Sequence, residues 1–342
     1  MRRLYFGIAV ALLLATGSLV AFHYLGSGVQ PRFPAVPTSS SAPDADGGVV
    51  GVILEPDDGP GLIVAELDAA RRTIDIEVYL FSDQKAMDAL LRAERRGVRV
   101  RVILEQHPFG GGDAAKSRRD LERLGVEVRW AQARFDFSHI KCIVVDDRVA
   151  LIMNLNLTYS GLTKNREAAV TTTNASDVAE AMAVFAADWD GQGDPTLRRL
   201  VLSPTTSRVN SARLIDGATT SIDLFAEVVR DTKMVKALEA AAGRGVRVRI
   251  VTPPTKEADN TATLVSLVKA GVEVRTQTSP YVHAKMILVD GARAFVGSQN
   301  LTRTSLGLNR ELGIVIVEPA GLARLRTAFE KDFGKARRVA GS

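Results

Sequence analysis

The sequence predicts an α/β protein made of two pseudo-symmetric repeats, each a mixed, mostly parallel sheet flanked by helices. Two observations indicate this fold class. Short apolar strands alternate with amphipathic helical stretches, an order typical of parallel strands with helices on both faces. The order then recurs: RGVRVRV at 96–102 returns as RGVRVRI at 244–250, and LGVEVR at 124–129 returns as AGVEVR at 270–275. A repeat at a nearly fixed offset indicates one unit built twice.

Residues 1–25 predict a membrane anchor at the start of the chain. Met1-Arg2-Arg3 precedes an apolar run that ends near Leu25 and is just long enough to span a bilayer. The arginines favour a cytoplasmic start, which would place the rest of the chain outside the cytoplasm, in the periplasm or at the cell surface. The alternative is a signal peptide cleaved at Ala15-Thr16-Gly17, which would make the protein secreted. We favour the anchor because the run stays apolar beyond that site.

A linker and two repeats follow the N-terminal segment. Residues 26–48 are rich in proline, serine and glycine, a composition typical of flexible linkers. The repeats are predicted at 49–197 and 198–342, and each should end with a hairpin, one strand and one helix. The predicted segments include GVILEP at 51–56, TIDIEVYLF at 73–81, QKAMDALLRAERRG at 84–97, EAAVTTT at 167–173, SDVAEAMAVFAADW at 176–189, SIDLFAEVV at 221–229, TKMVKALEAAAGRG at 232–245, ELGIVIVEP at 311–319 and AGLARLRTAFEKDF at 320–333.

The hairpin of the second repeat gathers polar side chains at one end. His283 and Lys285 lie two residues apart on a predicted strand and therefore share one face. Asp290-Gly291 is a strong signal for a two-residue turn. Folding the chain there places His283 opposite Ser298, with Asn300 just beyond. The sequence thus predicts an imidazole, an ammonium, a hydroxyl and a carboxamide in one place.

The first repeat carries the same residue types at the same spacing. Six residues of the second motif have counterparts 144 positions earlier. The pairs are His139 and His283, Lys141 and Lys285, Asp146 and Asp290, Asn156 and Asn300, Asn165 and Asn309, and Glu167 and Glu311. With a turn at Asp146-Asp147, His139 lies opposite Asn154. Any one of these residues is more often a core, rim or turn residue than a functional one, but their joint repetition favours a functional site.

These residue types suit chemistry at a phosphodiester. An imidazole can attack phosphorus or transfer a proton near neutral pH. Lysine and asparagine side chains can donate hydrogen bonds to the non-bridging oxygens, where negative charge accumulates. Glu167 and Glu311 can each orient a histidine and stabilise its positive charge. We expect Asp146 and Asp290 to be turn residues first and electrostatic partners second.

The pattern H-x-K-x4-D-x6-G-S-x-N resembles the signature of the phospholipase D superfamily. The second repeat matches it through Gly297, Ser298 and Asn300, whereas the first repeat has Met153-Asn154 in place of Gly-Ser. The resemblance extends over about residues 49–333. It implies a metal-independent mechanism with two histidines, a phosphohistidine intermediate and no cofactor. Because superfamily members include lipases, lipid synthases and nucleases, the resemblance leaves the substrate open.

The resemblance also assigns roles to individual residues. It implies six catalytic residues, namely His139, Lys141, Asp146, His283, Lys285 and Asp290. Phosphate binding falls to Asn156, Ser298 and Asn300, and histidine orientation to Glu167 and Glu311. Between the two histidines, the resemblance favours His139 as nucleophile and His283 as acid, a choice that the residues alone leave open.

Composition and motifs limit the other chemical classes. One cysteine, Cys142, cannot form an intramolecular disulfide, and with four dispersed histidines it cannot build a zinc cluster. We expect Cys142 to be a small core residue on the strand face opposite His139. The glycine-rich stretch at 105–116 lacks the Gly-Lys-Ser/Thr of a Walker loop. The formal charge of +5 is a mild imbalance, without the aromatic-rich basic stripe of single-strand binders.

We therefore expect a phospholipase D type phosphodiesterase that hydrolyses phospholipid head groups. The alternatives are a nuclease of the same superfamily, a cardiolipin synthase-like phosphatidyltransferase, and a catalytically dead module that keeps the fold. Two intact histidines argue against the dead module. The expected partners are phospholipid and, through residues 1–25, the membrane, with nucleic acid a weaker expectation. The repeats would make the monomer a pseudo-dimer.

Overall fold

A computed structural model provides the structure of Gly48 and of residues 50–340. The predicted membrane segment at 1–25 lies outside these described residues, as does all but the last residue of the predicted linker. Within the described part of the chain, no helix is both long and apolar enough to cross a bilayer. The membrane anchor and the location of the protein therefore stay predictions from the sequence.

The first repeat contributes seven strands to one sheet. These strands are β1 (Val50–Glu55), β2 (Thr73–Val78), β3 (Arg99–Leu104), β4 (Glu127–Trp130), β5 (Lys141–Val145), β6 (Val149–Met153) and β7 (Asn165–Thr172). Their order is β1-β7-β6-β5-β2-β3-β4. The pairs β2-β3 and β3-β4 are parallel, and the other neighbours in this order are antiparallel.

The second repeat builds a sheet of the same kind. Its strands are β8 (Leu200–Ser203), β9 (Ser221–Phe225), β10 (Arg247–Thr252), β11 (Glu273–Thr276), β12 (Tyr281–Val282), β13 (Met286–Val289), β14 (Arg293–Gly297), β15 (Glu311–Ile316) and β16 (Arg337–Arg338). The order is β16-β11-β10-β9-β13-β14-β15-β8, while β12 pairs with β7 of the first repeat. Only β9-β10 and β10-β11 are parallel along this order.

Both sheets are mixed, as the sequence predicts, but the prediction that they are mostly parallel was wrong. Along the strand order of each sheet, parallel pairing is confined to the strand–helix–strand run, where a helical crossover returns the chain in the same direction. The hairpin strands and the edge strands β1 and β8 all pair antiparallel, and they outnumber the crossover strands.

Ten helices lie in the described part of the chain. They are α1 (Gly61–Ala69), α2 (Gln84–Arg95), α3 (Ala114–Arg123), α4 (Tyr159–Thr163), α5 (Ala175–Asp190), α6 (Ser207–Asp216), α7 (Thr232–Gly243), α8 (Ala258–Lys269), α9 (Arg303–Gly307) and α10 (Pro319–Lys335). Polar caps fix several starts: Asp83 accepts from Ala86 N at 3.0 Å before α2, and Asn174 accepts from Ser176 N at 3.0 Å before α5.

Three large hydrophobic cores in the described part of the chain hold the sheets and helices together. One outer core lies between the first sheet and α1, α2 and α3, and it contains Ile76 and Leu90. The second repeat has its own outer core against α6, α7 and α8. A central core joins the repeats and combines residues of both sheets with α5 and α10, for example Val144, Val296 and Phe329. Because strands are buried on both faces, they read as nearly continuous apolar runs in the sequence.

Cys142 belongs to the central core, as predicted. The thiol is free and buried, and burial raises the pKa of Cys142 well above its usual value. Its neighbour Ile143 points to the outer core instead, as alternation along a strand requires. Cys142 is therefore a packing residue.

The hairpin of the first repeat turns where predicted, but its register is shifted by one residue. Asp146-Asp147 has positive φ at both residues, as a two-residue hairpin turn of this class requires. One further residue follows before the ladder begins, so that Val145 pairs with Val149. The expected pairing of His139 with Asn154 is therefore wrong by one residue.

The second hairpin carries the same extra residue. Met286 pairs with Val296, and Gly297 N donates to Lys285 O at 3.4 Å. The expected pairing of His283 with Ser298 is therefore also wrong by one residue. Because a one-residue shift exchanges the two faces of a strand, Ser298 leaves the side of the sheet that carries the motif histidine.

Candidate active site

Two short bridges join the repeats beside the motif histidines. Tyr281–Val282 pairs in parallel with Asn165-Arg166 of β7. In the other direction, Ser138 forms a parallel bridge with Arg310, and His139 N donates to Arg310 O at 2.7 Å. Each histidine is thereby placed next to the Asn-Arg-Glu segment of the other repeat.

The two motif histidines exchange their glutamates across the repeats. His139 Nδ1 lies 2.8 Å from Glu311 Oε2, and His283 Nδ1 lies 2.8 Å from Glu167 Oε1. We call these two contacts the crossed pairs. A carboxylate at Nδ1 fixes the proton there and leaves Nε2 free for chemistry. The histidine side chains are 14% and 13% exposed, whereas both glutamates are fully buried.

Further hydrogen bonds hold the glutamates in place. Glu311 accepts from Asn309 Nδ2 at 3.0 Å and from the Ser305 hydroxyl. Glu167 accepts from Asn165 Nδ2 at 3.2 Å. Burial alone would raise the pKa of Glu311, but the neighbouring imidazole and ammonium groups lower it below its usual value. Glu311 is therefore an ionised partner for its histidine.

The two lysines of the motifs are buried beside their histidines. Lys141 Nζ donates to His139 O at 2.8 Å, and Lys285 Nζ donates to His283 O at 2.6 Å. Each ammonium has three donors, so two remain for other partners. Burial lowers the pKa of Lys141 well below its usual value, and a bound anion would favour the charged ammonium.

Electrostatic effects connect the two halves of the site. Burial lowers the pKa of His139 to about 4, and the ammonium of Lys285 in the other repeat contributes to this shift. Asn156 and Asn300, which follow the hairpins, each have a buried Oδ1 with no hydrogen-bond partner among the described residues. The crossed pairs and the effect of Lys285 on His139 therefore bring the histidines and lysines of both motifs into one site.

Two further site residues, Tyr79 and Glu227, were not predicted from the sequence. They follow β2 and β9 at equivalent positions, in TIDIEVYLF and SIDLFAEVV. An alignment of the two repeats would point to this position, because it carries an aromatic ring in one copy and a carboxylate in the other.

Tyr79 belongs to the first half of the site. Its ring meets His139 edge-on with centroids 4.7 Å apart, and Lys141 Nζ lies 5.0 Å from the ring centroid. The Tyr79 hydroxyl accepts from Phe109 N. Burial raises the pKa of Tyr79 to about 12, so the phenol stays neutral.

Glu227 belongs to the second half of the site. Its Oε2 lies 2.8 Å from Lys285 Nζ and 3.7 Å from His283 Nε2, and Asn300 Nδ2 donates to it at 3.5 Å. The Tyr281 hydroxyl donates to Oε1 at 3.3 Å. Burial alone would raise the pKa of Glu227, but Lys285 and His283 hold it well below its usual value.

Asp146 and Asp290 lie at the far ends of the hairpins, away from the histidines. Asp146 accepts from the backbone amides of Arg72 and Thr73 at 2.7 and 3.0 Å. Asp290 accepts from the amides of Thr220 and Ser221 at 2.8 and 2.9 Å. The catalytic role expected of these aspartates has no contact to support it, and both anchor the turn to the start of the neighbouring strand.

Ser298 bonds to the backbone instead of facing the site. It is fully buried, and Leu312 N donates to its hydroxyl at 3.1 Å. Its counterpart Asn154 accepts from Ala168 N at 2.7 Å. The phosphate-binding role expected of Ser298 therefore lacks a contact, because the shifted register turns it towards β15. The Met153-Asn154 substitution in the first motif keeps this backbone bond, and Met153 packs in the outer core.

The site contains no recognisable metal centre. In residues 50–340, no group of three or more histidine, cysteine, aspartate or glutamate side chains is arranged to hold a metal ion. The positively charged groups that the structure does provide beside the histidines are Lys141 and Lys285.

Two α/β repeats whose His-x-Lys hairpins meet in one site define a protein of the phospholipase D superfamily. Residues 63–189 and 212–333 match the family described as “Cardiolipin synthase, PLD-like domain”. The chain belongs to this family, and one match falls within each predicted repeat. The boundaries at 49–197 and 198–342 stay predictions.

Similar bacterial proteins are named as cardiolipin synthases. The chain is 22% identical over 321 residues to the “Probable cardiolipin synthase YwiE” of Bacillus subtilis, an alignment that covers 79% of this chain and 63% of that protein. It is 25% identical over 317 residues to a “Cardiolipin synthase” of Halalkalibacterium halodurans, with 78% and 62% covered. The chain thus spans just under two thirds of the length of these curated relatives.

Solved structures share the fold over most of the chain. The phosphatidylserine synthase of Haemophilus influenzae superposes with a TM-score of 0.67 at 12% identity, covering 85% of this chain and 87% of that one. The polyphosphate kinase of Porphyromonas gingivalis gives a TM-score of 0.68 at 16% identity, covering 85% and 48%. At these identities the likeness concerns the fold alone.

Proposed function

We propose that the protein transfers a phosphatidyl group from one alcohol to another, as a cardiolipin synthase does, through a phosphohistidine. The crossed pairs carry this proposal, because each leaves one Nε2 free beside a lysine. The family and the names of the similar proteins support transfer over the hydrolysis that the sequence alone favoured. Hydrolysis remains the same chemistry with water as the acceptor.

In the first step, His139 Nε2 attacks phosphorus and the P–O bond to the leaving alcohol breaks. His283, protonated at Nε2, gives its proton to the leaving oxygen, while Glu167 stabilises the ring through Nδ1. Hydrogen-bond donors would hold the non-bridging oxygens as their charge grows. These donors are the side chains of Lys141, Lys285, Asn156 and Asn300.

The surroundings of the two histidines support this division of roles. Because burial lowers the pKa of His139 to about 4, its ring is neutral at pH 7 and its lone pair is available to attack. His283 Nε2 instead lies 3.7 Å from the Glu227 carboxylate, a negative charge beside the nitrogen that gives and takes the proton.

In the second step, the acceptor alcohol attacks the phosphohistidine. His283 Nε2 removes the proton of the acceptor, an oxygen–phosphorus bond forms, and the P–N bond breaks with its electron pair returning to His139. Donors that neutralise the phosphoryl charge perform the task that a metal ion performs in other phosphodiesterases. We therefore propose a reaction that needs neither metal nor cofactor.

Exposed apolar groups near the site support a lipid substrate over a nucleic acid. Phe109 is 84% exposed, and its backbone amide bonds to Tyr79, which contacts His139. Tyr281, which bonds to Glu227, is 42% exposed. Apolar side chains at a site entrance suit acyl chains better than a phosphate backbone, which rewards dense positive charge.

The test uses the full-length protein in vesicles that contain labelled phosphatidylglycerol. We expect labelled cardiolipin and free glycerol, in the presence of excess chelator. If phosphatidic acid is the main product, the reaction is hydrolysis and not transfer. Faster cleavage of single-stranded DNA at equal phosphodiester concentration would favour the nuclease. Activity that is lost with chelator and restored by a metal ion would contradict the metal-free mechanism. His107→Asn, which changes an exposed histidine outside the crossed pairs, is the matched control.

A further inference from the structure

Glu227 is held in a fixed position by contacts from several directions. Lys285 Nζ lies 2.8 Å from Oε2, and the Tyr281 hydroxyl lies 3.3 Å from Oε1. Only 20% of the side chain is exposed. A carboxylate that is fixed in this way, beside a catalytic ring, presents permanent hydrogen-bond acceptors to whatever enters the site.

The first half of the site offers no such acceptor. Tyr79 stands at the equivalent position, and its hydroxyl is engaged with the backbone of Phe109. Its ring face lies near Lys141 and its edge contacts His139. Within the site, therefore, only the His283 side has a carboxylate next to a free Nε2 among the described residues.

We propose that Glu227 and His283 together form the acceptor subsite and that it selects acceptors with two donor hydrogens, namely water or a vicinal diol. His283 Nε2 and Glu227 Oε2 are 3.7 Å apart. An acceptor oxygen can therefore lie about 2.8 Å from both atoms, as hydrogen bonding requires. Both atoms are hydrogen-bond acceptors when His283 acts as a base, so an oxygen between them is stabilised when it points a hydrogen at each.

The number of donor hydrogens separates the acceptors. Water can donate one hydrogen to His283 and the other to Glu227. An alcohol donates its single hydroxyl hydrogen to His283, so its oxygen faces Glu227 without a hydrogen between them. A neighbouring hydroxyl on the same molecule can supply the second donor. A glycerol-type acceptor has that neighbouring hydroxyl, whereas a monoalcohol places an oxygen lone pair against the Glu227 carboxylate and forms no hydrogen bond with it, although Lys285 still pairs with that carboxylate.

This inference rests on the proposed transfer reaction. The reacting hydroxyl gives its proton to His283 Nε2 as its oxygen bonds to phosphorus, and the P–N bond to His139 breaks. The second hydroxyl keeps its proton and only donates a hydrogen bond to Glu227. Glu227 thus positions the acceptor and does not react.

The first experiment compares two acceptors of similar size with the full-length wild-type protein. Ethylene glycol has a second hydroxyl, whereas 2-methoxyethanol has an ether oxygen in its place. Both are added together to vesicles of labelled phosphatidylglycerol, and the two phosphatidyl products are measured with phosphatidic acid. We expect ethylene glycol to be favoured by roughly tenfold or more, because a hydrogen bond to a charged group is at stake.

The second experiment repeats the competition with variants of Glu227. Glu227→Met removes the acceptor and should abolish the preference, while Glu227→Gln keeps a neutral acceptor oxygen and should give an intermediate ratio. Glu257→Gln is the matched control, because Glu257 is exposed and pairs with Arg230 outside the site. The ratio of products from one intermediate is independent of how fast that intermediate forms, so a slow variant still reports it.

The outcomes separate this inference from the proposed function. Equal use of both acceptors by the wild type, or an unchanged ratio in Glu227→Met, would overturn the acceptor subsite while leaving phosphatidyl transfer in place. Failure of the wild type to form any phosphatidyl product, including phosphatidic acid, would overturn the proposed function and the inference with it. If the wild type only hydrolyses, a rise of the 2-methoxyethanol product relative to phosphatidic acid in Glu227→Met would support the subsite.

Discussion

The two halves of the site share their histidine, lysine, asparagine and glutamate but differ in the groups around them. In the first half, His139 meets the ring of Tyr79. In the second half, His283 and Lys285 meet the carboxylate of Glu227. The common residues supply the groups that both steps of the reaction need, while the unequal neighbours place a neutral ring beside one imidazole and a carboxylate beside the other.

The glutamates of the crossed pairs also have unequal surroundings. Glu311 accepts a hydrogen bond from Ser305, where the first repeat has Gly161. Glu167 instead pairs in register with Glu55 of β1, and both are fully buried. A repeated motif can therefore build the same chemistry twice while the residues around it make the two copies unequal.

The largest expected effect separates the two histidines. His139→Asn and His283→Asn should each lower turnover by about 10³-fold or more, because each step loses its nucleophile or its acid. With a nitrophenyl leaving group, which needs no acid, His283→Asn should still accumulate labelled phosphoprotein and His139→Asn should not. The opposite pattern would exchange the two roles, and a wild-type rate in either variant would break the model of one shared site.

The crossed pairs predict an effect that is almost as large. Glu311→Gln and Glu167→Gln should each lower turnover by between about 10² and 10⁴-fold, because the histidine loses its orientation and charge partner. Glu311→Gln should slow formation of the phosphoprotein, as loss of His139 does, and Glu167→Gln should resemble loss of His283. Rapid-quench measurement of the labelled intermediate would check this. If each glutamate variant instead resembled loss of the histidine in its own repeat, the exchange of glutamates would be contradicted.

The two aspartates should respond alike, because the halves are similar there. Asp146→Asn and Asp290→Asn should each lower the free energy of unfolding by about 2 kcal/mol, since each loses part of a set of hydrogen bonds to a carboxylate. Turnover by the folded fraction should change less than tenfold. Urea unfolding followed by kinetics below the transition would test both statements, and a thousandfold loss of turnover at unchanged stability would restore the catalytic role expected from the motif.

The smallest effect concerns Glu55, which has Ser203 as its counterpart in the second repeat. Burial raises the pKa of Glu55 from 4.5 to about 7, and Asp58, Glu167 and Asp57 add to the shift. Because the folded protein holds this proton to a higher pH than the unfolded chain, stability falls as the pH rises from 4.5 through 7. We expect a loss of about 1 kcal/mol, less than the full shift implies because the structure around a buried carboxyl relaxes when the group ionises.

Glu55→Gln removes the titrating group and should flatten that part of the stability profile. Thermal unfolding between pH 5 and 8 would measure the difference between variant and wild type. A variant as pH-sensitive as the wild type over this range would show that another group titrates there.

The sequence predicts the order of the elements and most of the site but not their pairing. Periodicity and the repeated motif place His139 and His283 on hairpins, and they mark Glu167 and Glu311 as partners. The direction of β1 and β8 relative to their neighbours is a tertiary property, because an apolar run looks the same in either direction. The sequence also gives no sign of the extra residue after each hairpin turn, so the predicted register of Ser298 was wrong.

The exchange of glutamates was also beyond the sequence. Glu311 lies 172 positions from His139 and 28 from His283, so sequence distance favours the wrong partner. Only the bridges between β12 and β7, and between Ser138 and Arg310, select the other repeat. Tyr79 and Glu227 were missed for a simpler reason: they differ between the copies, and a search for repeated residues passes over differences.

The bridges beside the histidines have a consequence for the history of the chain. Since neither repeat contains both members of a crossed pair, a single ancestral copy would have needed a second molecule to supply the glutamate partner of its histidine. Fusion of two copies removes that requirement and lets each copy mutate separately. The histidines and glutamates of the crossed pairs still constrain each other, because a substitution in one repeat affects the partner residue in the other. Positions such as 79 and 227 lie outside this exchange, and they are where the copies became unequal.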